Sequence, residues 1–190
     1  MKKFIFATTN NGKFQTAKKY FEKADIELSR LNEELVEPRS NDVKEIARKK
    51  VLQAYSMTNM PCFSLDAGFF IETLNGFPGT FVNSALNTIG LTGILKLMEK
   101  KENRKCYFKE CVAYYDGTDI HYFESVTKGT IAKHIAGFKT EEAWSDLWFL
   151  FIPEQCDKTI AELTQAQRET WRNNQPQNSL CKLANFLQNN

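Results

Sequence analysis

Apolar and polar positions divide the chain into short hydrophobic runs and amphipathic stretches. Phe4-Ile5-Phe6-Ala7 is apolar and stops at Thr8-Thr9-Asn10-Asn11-Gly12-Lys13. Phe14, Ala17, Phe21 and Ala24 then recur at helical spacing, so the start reads as strand, polar loop, helix. Ile26 to Leu35 is mixed, and Pro38 pushes Glu37 toward extended backbone in a loop or at a strand end. Asp42 with Glu45 three positions later predicts a capping box. The helix it opens carries Val43, Ile46, Ala47, Val51, Ala54 and Tyr55 on its buried face and ends at Met60-Pro61. Cys62 to Asp66 reads as a buried strand that finishes on the carboxylate. Phe69 to Leu74 follows, then a turn over Asn75-Gly76-Phe77-Pro78-Gly79. Leu86 to Lys101 holds a helix through Ile94, Leu95, Leu97 and Met98. Tyr107 to Tyr115, a turn at Asp116-Gly117 and Ile120 to Thr127 predict a hairpin, with Lys128 to Ala132 as a further short strand. Aromatic residues crowd Trp144 to Ile152. Lys158 to Leu163 leads into a polar, Gln- and Asn-rich stretch. Leu180, Leu183, Ala184 and Leu187 then predict a closing helix over Ser179 to Leu187.

Composition narrows the function classes. With 190 residues and 42% apolar content the chain supplies the core of one domain, 1–190, or of one domain with a small lobe. A net charge of +2 gives no broad basic surface, so neither nucleic acid nor membrane is an expected partner. No apolar run is long enough to span a bilayer, and Met1-Lys2-Lys3 leads straight into a strand without a leader pattern. Five scattered cysteines without a C-x-x-C pair read as free thiols of a reducing cytoplasm. The two histidines, His121 and His134, sit near no nucleophile motif, which argues against a triad hydrolase.

Three positions carry candidate chemistry, each with a plain alternative. The loop Thr8 to Lys13 supplies N–H groups, amides and a cation at a helix N-terminus, a seat for an anion; the alternative is an ordinary turn with a solvated lysine. Its spacing is not that of a Walker A loop. Lys50 falls on the buried face of the second helix, where an ammonium is expensive unless it meets an anion. Snorkelling of its stem is the alternative. Asp66, at the end of an apolar strand, is either an active-site acid or a capping residue.

Taken together, the motifs resemble the inosine triphosphate pyrophosphatase family. Thr8-Thr9-Asn10-Asn11-Gly12-Lys13 is similar to its opening Thr/Ser-x-Asn-x-x-Lys. Glu37, Lys50 and Leu65-Asp66-Ala67-Gly68 resemble its later motifs, as do Asn75-Gly76-Phe77-Pro78-Gly79, Thr88-Ile89-Gly90, Asn103-Arg104-Lys105 and Lys158-Thr159-Ile160-Ala161-Glu162-Leu163. The resemblance covers residues 3 to about 165 well and the tail loosely. It implies an α/β fold, two-lobed around a mixed sheet, and a homodimer. It also implies hydrolysis of a purine nucleoside triphosphate of the ITP, dITP or XTP kind to monophosphate and pyrophosphate. On that pattern Thr8, Thr9, Asn10, Lys13 and Lys50 bind the polyphosphate. Glu37 and Asp66 hold magnesium, and Asp66, Lys13 and Lys50 are catalytic. Departures from the family touch both ends of the substrate. Leu65 stands where the family has the first acid of a pair. Trp144 lies in a rebuilt aromatic segment, where it either stacks on a base or belongs to the core. Arg168 replaces a lysine, and Arg172-Asn173-Asn174 replaces a Ser-His-Arg base clamp. Trp144, Arg168, Arg172 and Asn173 are therefore the expected base-side residues, with altered base recognition. A second function fits these departures: a weak or inactive nucleotide sensor that binds the triphosphate and regulates a partner effector protein.

Overall fold

The structure, a computed structural model, describes residues 3–174 and 177–189. Met1 and Lys2, on which the expectation of no leader rests, and part of the polar stretch near residue 175 lie outside them. The elements are β1 (Lys3–Ala7), α1 (Asn11–Lys23), β2 (Glu27–Leu31), α2 (Val43–Thr58), β3 (Cys62–Ile71), β4 (Pro78–Gly79), α3 (Val82–Thr88), α4 (Gly90–Leu97), β5 (Lys105–Tyr115), β6 (Ile120–Ile131), β7 (Phe151–Pro153), α5 (Gln165–Asn174) and α6 (Ser179–Asn189). The strands run in the order β2-β1-β3-β5-β6-β7, with β4 paired to β3. The fold is mixed α/β. The chain divides into two compact units, one of Met1–Ala67, Glu110–Ser125 and Gln177–Asn190, the other of Gly68–Lys109 and Val126–Pro176.

In the first unit β1 pairs in parallel with β2, from Lys3↔Glu27 to Ala7↔Leu31, and with β3 at Ile5↔Cys62, Phe6↔Phe63 and Ala7↔Ser64. A parallel strand is covered on both faces, which is why β1 is a continuous apolar run. Ile5 and Ala7 pack in a cluster with Val43, Ala47, Val51 and Ala54 of α2. Phe6, on the alternate side, stacks on Phe63 with ring centroids 4.5 Å apart, and Phe21 of α1 stacks on Phe63 at 5.1 Å. The closing helix forms as its pattern predicts, with Leu180, Leu183, Ala184 and Leu187 buried. In the second unit the core joins Phe69, Ile71, Ile94, Met98, Cys106, Ile131, Leu147, Trp148 and Phe151. There β3 pairs antiparallel with β4, and β6 with β7.

Several elements differ from the sequence expectation. β3 does not finish on Asp66 but runs on to Ile71. Gly68 lies inside that strand: a Cβ there would meet the Phe70 ring at 2.7 Å and the Gly79 carbonyl oxygen at 2.9 Å, so the glycine admits a close neighbour. The expected helix from Leu86 is two helices, α3 and α4, which meet at Ile89 and Gly90, the latter at φ +63°. The separate strand at Lys128 is the continuation of β6. The Gln-rich stretch contains α5, opened by a reciprocal cap: Gln167 N–H donates to Thr164 Oγ1 (3.3 Å), and Thr164 N–H donates to Gln167 Oε1 (2.9 Å). At α2, Asp42 does cap the helix, accepting from Lys44 N–H at 2.9 Å. Glu45 closes the box only through a relay: Ser40 Oγ donates to Glu45 Oε2 and accepts from Asp42 N–H.

Candidate active site

The turn from β1 into α1 is built by its own side chains. Asn10 is the N-cap of α1, its Oδ1 accepting from Lys13 N–H at 2.9 Å, and Thr8 Oγ1 accepts from Asn10 N–H at 3.1 Å. These bonds satisfy donors that the first helical turn leaves open. Thr8 is buried and Thr9 exposed. One turn into the helix, the Lys13 ammonium reaches β3 and donates to the Leu65 carbonyl oxygen at 3.3 Å. Leu65 thus presents a backbone oxygen, not a carboxylate, to this cation.

Lys50 settles its own two alternatives. Its side chain is only 15% exposed, and its Nζ lies 2.7 Å from Glu37 Oε1 and 3.6 Å from Asp66 Oδ1. An inward lysine here meets two anions instead of snorkelling. Glu37 arrives from the loop before α2 and is 56% exposed, whereas the Asp66 side chain is 10% exposed, in the middle of β3. Burial pushes the Asp66 carboxyl above the usual carboxylate range, and Lys13 and Lys50 pull it back part of the way. Burial pushes the Lys13 amine down; Asp66 opposes this and Lys50 adds to it. Two cations and two carboxylates from the loop, α1, α2 and β3 thus share one neighbourhood inside the first unit.

Two further polar groups belong to this neighbourhood and escaped the sequence reading. Glu110 of β5 accepts from Ser179 Oγ at 3.0 Å and from Ser125 Oγ at 3.2 Å. Burial raises its carboxyl, while the Ser179 bond and the Lys13 charge lower it. The available signal was an acid in the middle of a β-rich run. Arg30 of β2 donates through Nε to the Thr8 carbonyl oxygen at 2.8 Å and through Nη2 to that of Thr9. Nothing in the mixed segment Ile26 to Leu35 singled it out.

The residues expected at the base side lie in the second unit. Trp144 packs against its core, as does the buried Trp148. Arg168 is buried, donates to the Leu163 carbonyl oxygen and lies 3.9 Å through Nε from Glu142 Oε2. Arg172 donates to the same Glu142 oxygen from both Nη atoms at 3.3 Å. Asn173 is exposed on α5. Arg168 and Arg172 therefore converge on an acid, Glu142, that the sequence did not mark.

Glu37 and Asp66 offer oxygen donors suited to a hard divalent cation, and both already face one positive charge, that of Lys50. Among the described residues no group of three His, Cys, Asp or Glu gathers as a metal site.

Comparison with known proteins agrees with this architecture. The model of the Ham1 family matches residues 4–175. The dITP/XTP pyrophosphatase of Thermococcus kodakarensis is 34% identical over 191 residues, covering 99% of this chain and 98% of that protein. The dITP/XTP pyrophosphatase of Methanopyrus kandleri is 38% identical over 162 residues, 85% of this chain and 84% of its own. Among solved structures, a HAM1 protein from Coxiella burnetii superposes with a TM-score of 0.84 at 20% identity, over 100% of both chains. The Staphylococcus aureus Ham1 protein gives 0.79 at 21% identity, over 99% of both. With the family model spanning nearly the whole chain and relatives this similar at full length, the chain belongs to the Ham1 family.

Proposed function

We propose that this protein hydrolyses non-standard purine nucleoside triphosphates of the dITP, ITP and XTP kind, releasing the monophosphate and pyrophosphate. The observation that carries the reading is Lys50 held between Glu37 and Asp66, with Lys13 beside the same strand. The substrate class comes from the relatives, which are dITP/XTP pyrophosphatases. Lys13 and Lys50 bind the phosphate oxygens by charge-assisted hydrogen bonds. Glu37 and Asp66 would hold magnesium, which when bound neutralises phosphate charge and makes a nearby water more acidic. Asp66 takes the proton of the water that attacks the α-phosphorus. The changed residues Trp144, Arg168, Arg172 and Asn173 would set the base preference, and a homodimer is the assembly we expect.

The test is pyrophosphate release with magnesium and a panel of ITP, dITP, XTP, GTP and ATP. We expect turnover of the first three, and a loss of about a thousandfold or more in Asp66→Asn with ligand-induced thermal shift retained. A large thermal shift in the unaltered protein without turnover would replace the enzyme by the sensor reading.

A further inference from the structure

β2 ends at Leu31, whose carbonyl oxygen accepts from Thr8 N–H at 3.0 Å. That bond closes the β1–β2 ladder. The next two carbonyl oxygens, those of Thr8 and Thr9, stand past the end of β2 and beside the N-terminus of α1. An exposed carbonyl oxygen is the negative end of a peptide dipole, and near an anion seat it repels what the helix end attracts. Arg30 takes up both. It pairs with Phe6 in the parallel register, one residue before the strand ends. Its Nε donates to Thr8 O at 2.8 Å, its Nη2 to Thr9 O, and its Nη1 lies 3.5 Å from Asn11 Oδ1. Its guanidinium carbon sits 5.5 Å from the centroid of the Phe14 ring, on the first turn of α1. One rigid group thus engages Thr8, Thr9, Asn11 and Phe14, which together span the loop. The planar guanidinium places two donors at fixed separate positions on two successive carbonyls; a lysine ammonium carries its donors on a single atom.

We propose that Arg30 is a positioning residue for polyphosphate binding: it holds the Thr8 and Thr9 carbonyl oxygens so that the loop and the start of α1 receive phosphate. The proposal rests on the pyrophosphatase reading for the identity of the physiological anion, and on the hydrogen bonds of Arg30 for everything else. Because the loop holds phosphate in ground and transition state alike, its loss weakens binding more than turnover.

Inorganic tripolyphosphate is the probe, titrated into ¹⁵N-labelled full-length protein and into Arg30→Gln and Arg30→Lys, alongside KM, kcat and thermal melts. We expect Arg30→Gln to weaken tripolyphosphate about tenfold and to raise KM by a similar factor, with kcat changed by less than about threefold. We also expect the amide signals of Thr9, Asn10 and Asn11 to move before ligand is added. Arg30→Lys keeps the charge without the fork and should stay close to Arg30→Gln. The proposal is overturned if Arg30→Gln binds within twofold of the parent, or if Arg30→Lys restores parental affinity. It is equally overturned if the ligand-free amide signals do not move, or if the parent does not bind tripolyphosphate. A parent that turns over no triphosphate, yet loses tripolyphosphate affinity with Arg30→Gln, would sink the pyrophosphatase reading and leave the role of Arg30 standing.

Discussion

Replacing Lys50 with methionine tests the centre of the site. The change keeps the stem that packs within α2 and removes the cation. Two unit charges at the Lys50–Asp66 separation of 3.6 Å attract by about 4–5 kcal/mol at an effective dielectric of ~20. The half-exposed Glu37 partner adds no more than about 1 kcal/mol. Removing Lys50 also relieves its own desolvation, and Lys13 still supports Asp66, while protonation of Asp66 offers an escape. The net loss should be about 2–4 kcal/mol at pH 7, near the lower end for breaking a buried pair. For a chain of this length that lowers the melting temperature by roughly 5–15 °C. Acidification should narrow the gap, because Asp66 becomes neutral in both proteins and the lost partner then matters little. In Lys50→Met/Asp66→Asn the Asp66 carboxylate is no longer left without Lys50, although Lys13 loses Asp66 as its counter-charge, so the double variant should be less destabilised than the two singles added while activity stays low. The assays are thermal melts at pH 5 and 7.5 and magnesium-dependent pyrophosphate release, where the single variant should lose about 10²–10³ in kcat/KM. A single variant that melts within 2 °C of the parent, or a double variant as unstable as the two singles added, refutes the coupling.

Two other perturbations follow from the same structure. Burial raises the Glu110 carboxyl, so the folded state binds its proton more readily than the unfolded chain. Stability from this group is complete below the unfolded carboxylate pKa and is lost as pH rises through the folded value. Glu110→Gln, whose amide oxygen can still accept from Ser125 and Ser179, should therefore match the parent near pH 4. It should exceed the parent increasingly toward pH 8 in urea unfolding, and an advantage that shrinks with pH contradicts this. Phe63 is fully buried between Phe6 and Phe21, and Phe63→Ala should cost about 3–5 kcal/mol in the same measurement. A loss under about 1 kcal/mol would mean that the stacked rings do not form.

Local pattern alone determined the parts of this protein that depend on near neighbours. The strand–loop–helix at the start, the α2 face, the Asp116-Gly117 turn and the amphipathic closing helix follow from spacing within a few residues, and so does the N-cap at Asp42. The motif order also pointed to the family, since several short motifs stand in family order along the chain and the family model matches residues 4–175. Tertiary structure decided what depends on partners distant in the chain. Whether Gly68 ends a strand or admits β4 is invisible without Gly79 beside it. Whether Lys50 snorkels or pairs depends on Glu37 and Asp66, 13 and 16 residues away. Arg30 and Glu110 gain their meaning only from Thr8, Thr9, Ser125, Ser179 and Lys13. The physical reason is the range of the forces. Backbone propensity and capping act along the chain, whereas the desolvation and pairing of a buried charge are set by whatever the fold packs around it.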